Sequence, residues 1–194
     1  MVPEVEQAFA ELAKSLLANP FDFLRENDVT CFLHAYLASA FPQRVPITLR
    51  PGIEVPPSLC FRGKLFTSRI HTEVKLQVGG KESCDLVVFQ DRPYEVYPKS
   101  QGAVGGFAPP FLAAIEVKLA YGSRSNRFQT SEGVPADIAK LWESRGAFDH
   151  AYVVVVDSFE GRTLDTVKHA LQGRNSVSAA YVGLDRFEVV RGTT

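Results

Sequence analysis

The chain has 194 residues, of which 45% are hydrophobic and 22% are charged, and its formal net charge is −1. This composition is typical of an ordinary globular protein, and the length favours one domain whose core needs neither disulfides nor a structural metal. The near-zero net charge excludes a globally basic surface, so any nucleic acid would be bound through a local patch or with the help of a partner.

Cysteine usage and the first residues restrict the class further. Cys31, Cys60 and Cys84 are widely spaced and form no C-x-x-C pair, which argues against a disulfide framework and a zinc knuckle. The chain opens with an acidic, amphipathic stretch rather than a basic region followed by an apolar one. No apolar run approaches the ~20 residues that span a bilayer. We therefore expect a cytoplasmic protein with no membrane partner.

Two helices are predicted at the start of the chain. Apolar residues recur at helical spacing over residues 3 to 18, and a second apolar stripe runs over residues 26 to 40 until Phe41-Pro42 ends it. The proline-rich segment 43 to 62 is hard to place, although its stretch ITLRPGIEV could hold a short edge strand.

Period-two alternation then replaces the helical pattern. Residues 70 to 78 predict a strand with one polar face, and residues 84 to 89 predict the strand that returns after a Gly79-Gly80 turn. Residues 91 to 110 are rich in proline and glycine and predict a long excursion. The apolar stretch LAAIEVKL, residues 112 to 119, is the third predicted strand.

The second half alternates strands with helices. After a polar loop, the pattern predicts a helix at about 134 to 145, a fully covered strand at 151 to 157, a helix at 163 to 172 and short strands at 178 to 184 and 186 to 190. This order predicts an α/β fold with a central mixed sheet flanked by helices. We expect a single domain over residues 1–194, with N-terminal helices in 3–41 and the core in 66–191.

The third predicted strand carries an unusual pair of charges. Residues i and i+2 of a strand point to the same side, so Glu116 and Lys118 project together beside Ala114. An ion pair against a packed face is expensive unless something offsets its desolvation. A cross-strand or edge salt bridge is the simpler interpretation of this pair.

Asp85 favours a second interpretation. It opens the preceding strand, and it can meet Glu116 if the two strands are neighbours. Two adjacent carboxylates repel each other unless a cation lies between them, and a divalent ion with oxygen ligands would satisfy both. Lys118 could then orient a water or stabilise charge on a phosphate. Alternatively, Asp85 is a strand-entry residue that bonds to backbone.

The order of these residues resembles the PD-(D/E)XK nuclease superfamily. Asp85, a spacer and then Glu116-Val117-Lys118 in an apolar strand match its short motif, with Cys84 where the motif has proline. The resemblance implies a restriction-endonuclease-like core in which Asp85, Glu116 and the Val117 carbonyl bind magnesium. It also implies that Lys118 assists the attacking water, and we expect manganese to substitute for magnesium.

The resemblance also suggests further residues around the proposed metal site. Family members often carry a glutamate on the first core helix, which points to Glu26 as a metal ligand, unless it only stabilises the start of its helix. An acid on the first strand of the hairpin would be Glu73, whose direction depends on strand register. His71 is a candidate substrate contact on the same strand. From the helix after the third strand, Lys140 could reach a phosphate, or could form a solvated pair with Asp137.

The predicted activity is hydrolysis of phosphodiester bonds in nucleic acid, with DNA favoured over RNA. Arg124 and Arg127 in the polar loop are weak candidates for substrate binding, because exposed loops commonly hold such residues. A homodimer or a protein partner is compatible with this activity, as is a role in restriction, repair or phage defence. The alternative is a non-catalytic module, binding nucleic acid or protein on a nuclease-like core.

Overall fold

The computed structural model describes residues 1–19, 25–51, 53, 60, 64–77, 82–98, 104–120, 133–157 and 163–194. The predicted Gly79-Gly80 turn and the loop residues Arg124 and Arg127 lie outside these ranges. In chain order the helices and strands are α1 (Pro3–Ala18), α2 (Glu26–Ala40), β1 (Val45–Leu49), β2 (Leu65–Thr67), β3 (Ile70–Lys75), β4 (Ser83–Val88), β5 (Tyr94–Pro98), β6 (Val104–Phe107), β7 (Phe111–Ala120), α3 (Val134–Glu143), a 3-10 turn (Arg145–Ala147), β8 (Phe148–Asp157), α4 (Leu164–Ala170), β9 (Val177–Gly183) and β10 (Phe187–Arg191).

The predicted α/β class with a mixed sheet is confirmed. Six strands form one sheet in the order β10-β9-β8-β7-β4-β3. The strands β3, β4 and β7 pair antiparallel, β7, β8 and β9 pair parallel, and β10 returns antiparallel to β9. The antiparallel pairs β3–β4 and β9–β10 follow short connections, while β5 and β6 lie between β4 and β7 in sequence. The parallel pairs are joined through α3 and α4, as parallel pairing requires. None of the described helices is both long and apolar enough to cross a bilayer.

Helices cover both faces of this sheet. Leu12 of α1 and Leu33 of α2 share one buried cluster with Val117 of β7. Ile138 of α3 lies in a second cluster on the opposite face, together with residues of α4. The run of apolar residues in β8 serves both clusters alternately, since Val153 belongs to the second cluster and its neighbours to the first. This explains why β8 lacks the polar alternation of a half-exposed strand.

A second sheet was not predicted. It has four strands in the order β2-β1-β5-β6. The predicted edge strand within residues 43 to 62 exists as β1, but it lies between β2 and β5 and is not an edge. The predicted excursion over residues 91 to 110 contains β5 and β6. The proline and glycine residues in this segment break the periodic pattern that would indicate these short strands. In addition, the parallel partner of β5 is β1, which is far away in sequence.

The predicted alternation of β3 fails in the middle of the strand. Ile70 packs on the α1–α2 face, while Val74 packs on the α3–α4 face, although period two would place both on one side. Between them, Glu73 has a φ of 53°, in the left-handed region that residues other than glycine rarely adopt. The partner strand changes face at the same level, since Leu86 and Cys84 lie in different clusters.

Candidate active site

The candidate site lies where β4 and β7 separate. Their antiparallel pairing ends at Leu86 and Ile115. Beyond this pair, the carboxylate of Asp85 accepts a hydrogen bond from the backbone N–H of Val117 at 2.7 Å. The Cys84 thiol donates to the carbonyl of Ile115 at 3.1 Å. Side chains thus replace ladder hydrogen bonds at the fork, and Asp85 is held against the strand that carries Glu116.

Glu116 and Lys118 lie on one face of β7, as their spacing predicts. The intervening Val117 packs into the α1–α2 cluster, so its two neighbours face α3. Glu116 is only 2% exposed. The ammonium of Lys118 lies 3.3 Å from Asp137 Oδ2, which places both charged residues of β7 against the same helix.

The helix α3 delivers a second lysine to Glu116. Its apolar stripe, including Ile138 and Leu141, is buried on the sheet, and the residues flanking that stripe point towards β7. Lys140 Nζ lies 2.7 Å from Glu116 Oε1 and 3.6 Å from Asp137 Oδ1. The pair at i, i+3 therefore exists, but it is largely buried, and the nearest partner of Lys140 is Glu116. The predicted contact of Lys140 with a phosphate stays a prediction.

Two carboxylate oxygens at this site have ionic neighbours but incomplete hydrogen bonding. Glu116 Oε1 and Asp137 Oδ2 are buried, and neither accepts a hydrogen bond of normal geometry from the described residues. The ammonium of Lys140 donates instead to the carbonyl of Ser83 at 3.1 Å. Buried carboxylate oxygens usually accept several hydrogen bonds, so both atoms retain free acceptor capacity.

The electrostatics of Glu116 reflect this environment. Burial, followed by repulsion from Asp85, raises the pKa of Glu116 from 4.5 to about 7 against the opposing attraction of Lys140. For both lysines, burial alone would lower the pKa. The attraction of the neighbouring carboxylates, Glu116 for Lys140 and Asp137 for Lys118, outweighs burial and raises both values. The lysines therefore stay charged at neutral pH, whereas Glu116 gains or loses its proton near pH 7.

Glu26 reaches the site from the start of α2. Its Oε2 lies 3.8 Å from Lys118 Nζ, and its Oε1 accepts a hydrogen bond from the Leu119 N–H at 3.4 Å. The side chain is 48% exposed. Glu26 therefore lies at the margin of the site, and its described contacts are to a lysine and to backbone. A role of Glu26 as a metal ligand stays a prediction.

Glu73 and His71 lie in different surroundings. Glu73 is exposed, and its Oε2 accepts a hydrogen bond from the Ser83 hydroxyl at 3.3 Å, next to the carbonyl that Lys140 contacts. The His71 ring packs against Phe89 and Phe107, with centroid distances of 4.6 and 4.7 Å. Burial lowers the pKa of His71. Among the described residues, no contact joins His71 to the acids of the fork, so its predicted contact with substrate gains no support.

Asp137, Ser83 and Cys84 make more contacts at the site than their positions in the sequence indicated. Asp137 contacts both lysines, and its spacing of three from Lys140 was the available signal. Cys84 replaces the motif proline and supplies a thiol donor at the fork. No local pattern in the sequence indicates that the backbone carbonyl of Ser83 would accept a hydrogen bond from Lys140.

The charges at the site favour a further cation. Two ammonium groups face four carboxylates, which leaves a charge of −2 when all six are ionised; these residues are Glu26, Asp85, Glu116, Lys118, Asp137 and Lys140. Within the described residues, no three histidine, cysteine or acidic side chains are grouped to hold a metal. Magnesium commonly uses only one or two carboxylates and keeps several waters. The carboxylates of Asp85 and Glu116 meet that smaller requirement in number, while Lys140 contacts Glu116 Oε1 at 2.7 Å.

Comparisons with known proteins identify no family for the chain. No family model matches it, and neither a curated protein nor a solved structure matches it significantly. The resemblance to PD-(D/E)XK nucleases therefore depends on the motif residues and their arrangement alone, and it stays a prediction.

Proposed function

We propose that the chain is a metal-dependent nuclease that hydrolyses phosphodiester bonds. One observation carries the proposal: Asp85 and Glu116 meet at the fork between β4 and β7, with Lys118 on the same strand face as Glu116. Two neighbouring carboxylates, of which Glu116 is buried, repel each other and cost the fold stability, which favours a functional reason for the arrangement.

The proposed metal ligands are Asp85, Glu116 and the carbonyl of Val117, with Glu26 at the margin. Magnesium bound there would supply Lewis acidity and a water of lowered pKa. The chain itself positions the donors: the Val117 N–H fixes the Asp85 carboxylate, and the sheet fixes Glu116. The fork is thus pre-arranged, which reduces the entropy lost when a substrate is positioned.

Lys118 is proposed to act on the substrate side. Asp137 and Glu26 flank its ammonium at 3.3 and 3.8 Å, so the group is held charged and directed along the face that carries Glu116. From there it can orient a water or stabilise negative charge that develops on a phosphate. The role requires the positive charge, and a neutral side chain of similar length should lose it.

The arrangement of elements supports the finer proposal of a restriction-endonuclease-like core. The helix α2 is followed, within the six-stranded sheet, by the antiparallel strands β3, β4 and β7 and then by α3 and the parallel strand β8. The proposed site lies on β4 and β7, the second and third of these strands, and this position supports the proposal. DNA is the favoured substrate, cut alone or with a second copy or a protein partner in restriction, repair or defence.

The test is cleavage of plasmid DNA, linear duplex, single-stranded DNA and RNA with magnesium, manganese, calcium or chelator. Asp85→Asn, Glu116→Gln and Lys118→Met should each reduce cleavage by about a hundredfold or more, at least as much as the loss of one preorganised hydrogen-bond donor costs in other enzymes. The matched control is Lys168→Met on α4, because Lys168 pairs with Glu188 at 3.0 Å on the exposed surface. Calcium should support little cleavage, because it organises the attacking water poorly.

A non-catalytic module is the second candidate, and one observation favours it. Lys140 already provides Glu116 with a cation at 2.7 Å, so the acids could belong to a purely structural ion-pair network. In that case the wild-type protein cuts no member of the panel, and any nucleic acid that it binds is bound equally well in chelator. Metal-dependent cleavage that survives all three substitutions would instead place the active site elsewhere.

A further inference from the structure

Lys140 lies between two different environments. On its inner side, its ammonium contacts Glu116 Oε1 at 2.7 Å and donates to the Ser83 carbonyl at 3.1 Å. On its outer side, the same residue forms part of the wall of an open cavity of about 350 Å³; the cavity is lined by Glu82, Pro135, Ala136, Ala139, Lys140 and Glu143. The cavity thus offers two further carboxylates to this one ammonium group.

The inner position of Lys140 conflicts with metal binding at Glu116. Glu116 is 2% exposed, and the oxygen contacted by Lys140 is the one that accepts no hydrogen bond of normal geometry from the described residues. A divalent cation on that oxygen would lie close to the ammonium, and like charges a few ångströms apart repel strongly in a partly desolvated place. Lys140 must therefore move before Glu116 can serve as a ligand.

Lys118 differs in this respect. Its ion-pair partners in the described structure are Asp137 and Glu26, and no described ion pair joins it to Glu116. It can keep these partners while a cation enters the fork. The two lysines therefore have separable roles, although both belong to the same cluster of charges.

The outer side provides a place for the displaced ammonium. Glu143 follows Lys140 by three residues on α3, so the two side chains lie on neighbouring positions of the helix surface. Glu82, the residue immediately before β4, lines the same cavity. A lysine has a flexible four-carbon stem, so rotation of the side chain can exchange one set of partners for the other without backbone movement.

We propose that Lys140 is a resident counter-ion of Glu116 that a divalent cation displaces, and that the ammonium then moves to the carboxylates of the adjacent cavity. This inference rests on the proposed function of the fork, because it assigns the metal-free and metal-bound states of the same site. It makes Lys140 a residue that sets metal affinity rather than one that contacts substrate.

The first test measures manganese binding by calorimetry in the wild-type protein, Lys140→Met and Lys118→Met, without nucleic acid. Removal of the competing charge should tighten binding by about tenfold or more in Lys140→Met, with a smaller change in Lys118→Met. Lys168→Met should bind as the wild type does. Unchanged or weaker binding in Lys140→Met would overturn the proposal.

The second test needs no substitution, so it holds even if Lys140→Met fails to fold. Wild-type protein is acetylated briefly with and without manganese, and each lysine is quantified by mass spectrometry. Modification of Lys140 should become several-fold faster with manganese, because its ammonium leaves the carboxylate for the open cavity. Lys168 should react equally in both conditions, and an unchanged or slower rate at Lys140 contradicts displacement.

The outcomes separate this proposal from the nuclease proposal. If neither the wild type nor Lys140→Met binds manganese, both proposals fail. If only Lys140→Met binds it, the lysine excludes the metal from the wild type, which refutes both displacement by the metal and a metal-dependent wild-type nuclease. Displacement of Lys140 without cleavage of any nucleic acid refutes the nuclease alone, whereas cleavage with equal manganese affinity in all variants refutes the counter-ion alone.

Discussion

Two buried carboxylates on adjacent strands have opposite surroundings. Asp157, at the end of β8, accepts hydrogen bonds from the N–H and hydroxyl of Thr163 and from the Tyr181 hydroxyl, the last at 2.7 Å. Glu116, on β7, faces the carboxylate of Asp85 and the ammonium of Lys140. Both acids are almost fully buried, at 1% and 2% exposed.

The difference indicates which acid serves the fold. Thr163 and Tyr181 supply Asp157 with neutral donors from the described part of the chain, and Thr163 immediately precedes α4, so these hydrogen bonds compensate the burial of Asp157. Burial and then the bond to Asp157 raise the pKa of Tyr181, which keeps this donor protonated. Glu116 Oε1 has an ion pair with Lys140 but accepts no hydrogen bond of normal geometry from the described residues, and Asp85 repels it, so the burial of its ionised form costs stability. We therefore expect substitutions at the two acids to have opposite effects.

The largest expected effect is at Asp157. Asp157→Ala leaves the Thr163 and Tyr181 hydroxyls without this acceptor and should reduce the free energy of unfolding by about 2–4 kcal/mol. For a chain of this size, that loss lowers the melting temperature by roughly 4–16 °C. Thermal melting in chelator measures it, with Tyr181→Phe as a milder companion that removes one donor. A melting temperature equal to that of wild type would mean that Asp157 does not stabilise the fold.

The response to metal comes next. A divalent ion that binds only the folded protein adds about 2.7 kcal/mol at a hundredfold excess over Kd, which is roughly 5–11 °C of melting temperature. Manganese should give this rise in wild type and in Asp157→Ala, and Glu116→Gln should lose most of it. Melting curves of the three proteins with and without manganese provide the comparison. Equal rises in wild type and Glu116→Gln would place the metal elsewhere.

The pH dependence of stability should differ between the wild type and Glu116→Gln. Its pKa is about 7 in the folded protein against 4.5 as its ordinary value. Between these values the folded state holds a proton that the unfolded state has released, so this residue lowers stability as pH rises from about 4.5 to 7 and not beyond. In chelator, Glu116→Gln should be more stable than wild type by about 1–3 kcal/mol at pH 8, with no advantage near pH 4.

Urea unfolding of wild type and Glu116→Gln across that pH range is the measurement. The quantity of interest is the difference between the two proteins, because the other acids titrate in both. A constant difference from pH 4 to pH 8 would show that the pKa of Glu116 is the same in the folded and unfolded proteins, so that the attraction of Lys140 cancels the effect of burial.

The smallest expected effect concerns the backbone beside the site. Glu73 has a φ of 53°, a conformation that costs an ordinary residue about 1–2 kcal/mol and asparagine less. Glu73→Asn should raise the free energy of unfolding by about 0.5–1 kcal/mol in chelator. Among the described residues, the exposed Glu73 side chain accepts a hydrogen bond from the Ser83 hydroxyl, which compensates part of this cost. If the variant is less stable than wild type, the carboxylate contributes more than its backbone costs.

The sequence predicted each main helix and the strands of the central sheet because their patterns are local. The periodicities of residues 3 to 18 and 26 to 40 specify helices, and the continuous apolar run in β8 specifies a strand covered on both faces. The second sheet escaped prediction because β5 pairs in parallel with β1 across a long separation. The face change at Glu73 escaped too, because a single residue with positive φ leaves no periodic signal.

For the candidate site, the sequence by itself determined that Glu116 and Lys118 share a face, since strand geometry alone requires it. Only the tertiary structure decided their partners. Asp85 approaches Val117 because β4 and β7 pair and then separate, and Lys140 selects Glu116 because α3 packs across that face of the sheet. Distance and desolvation determine which partner a charged side chain has, and both depend on packing between elements that are remote in sequence.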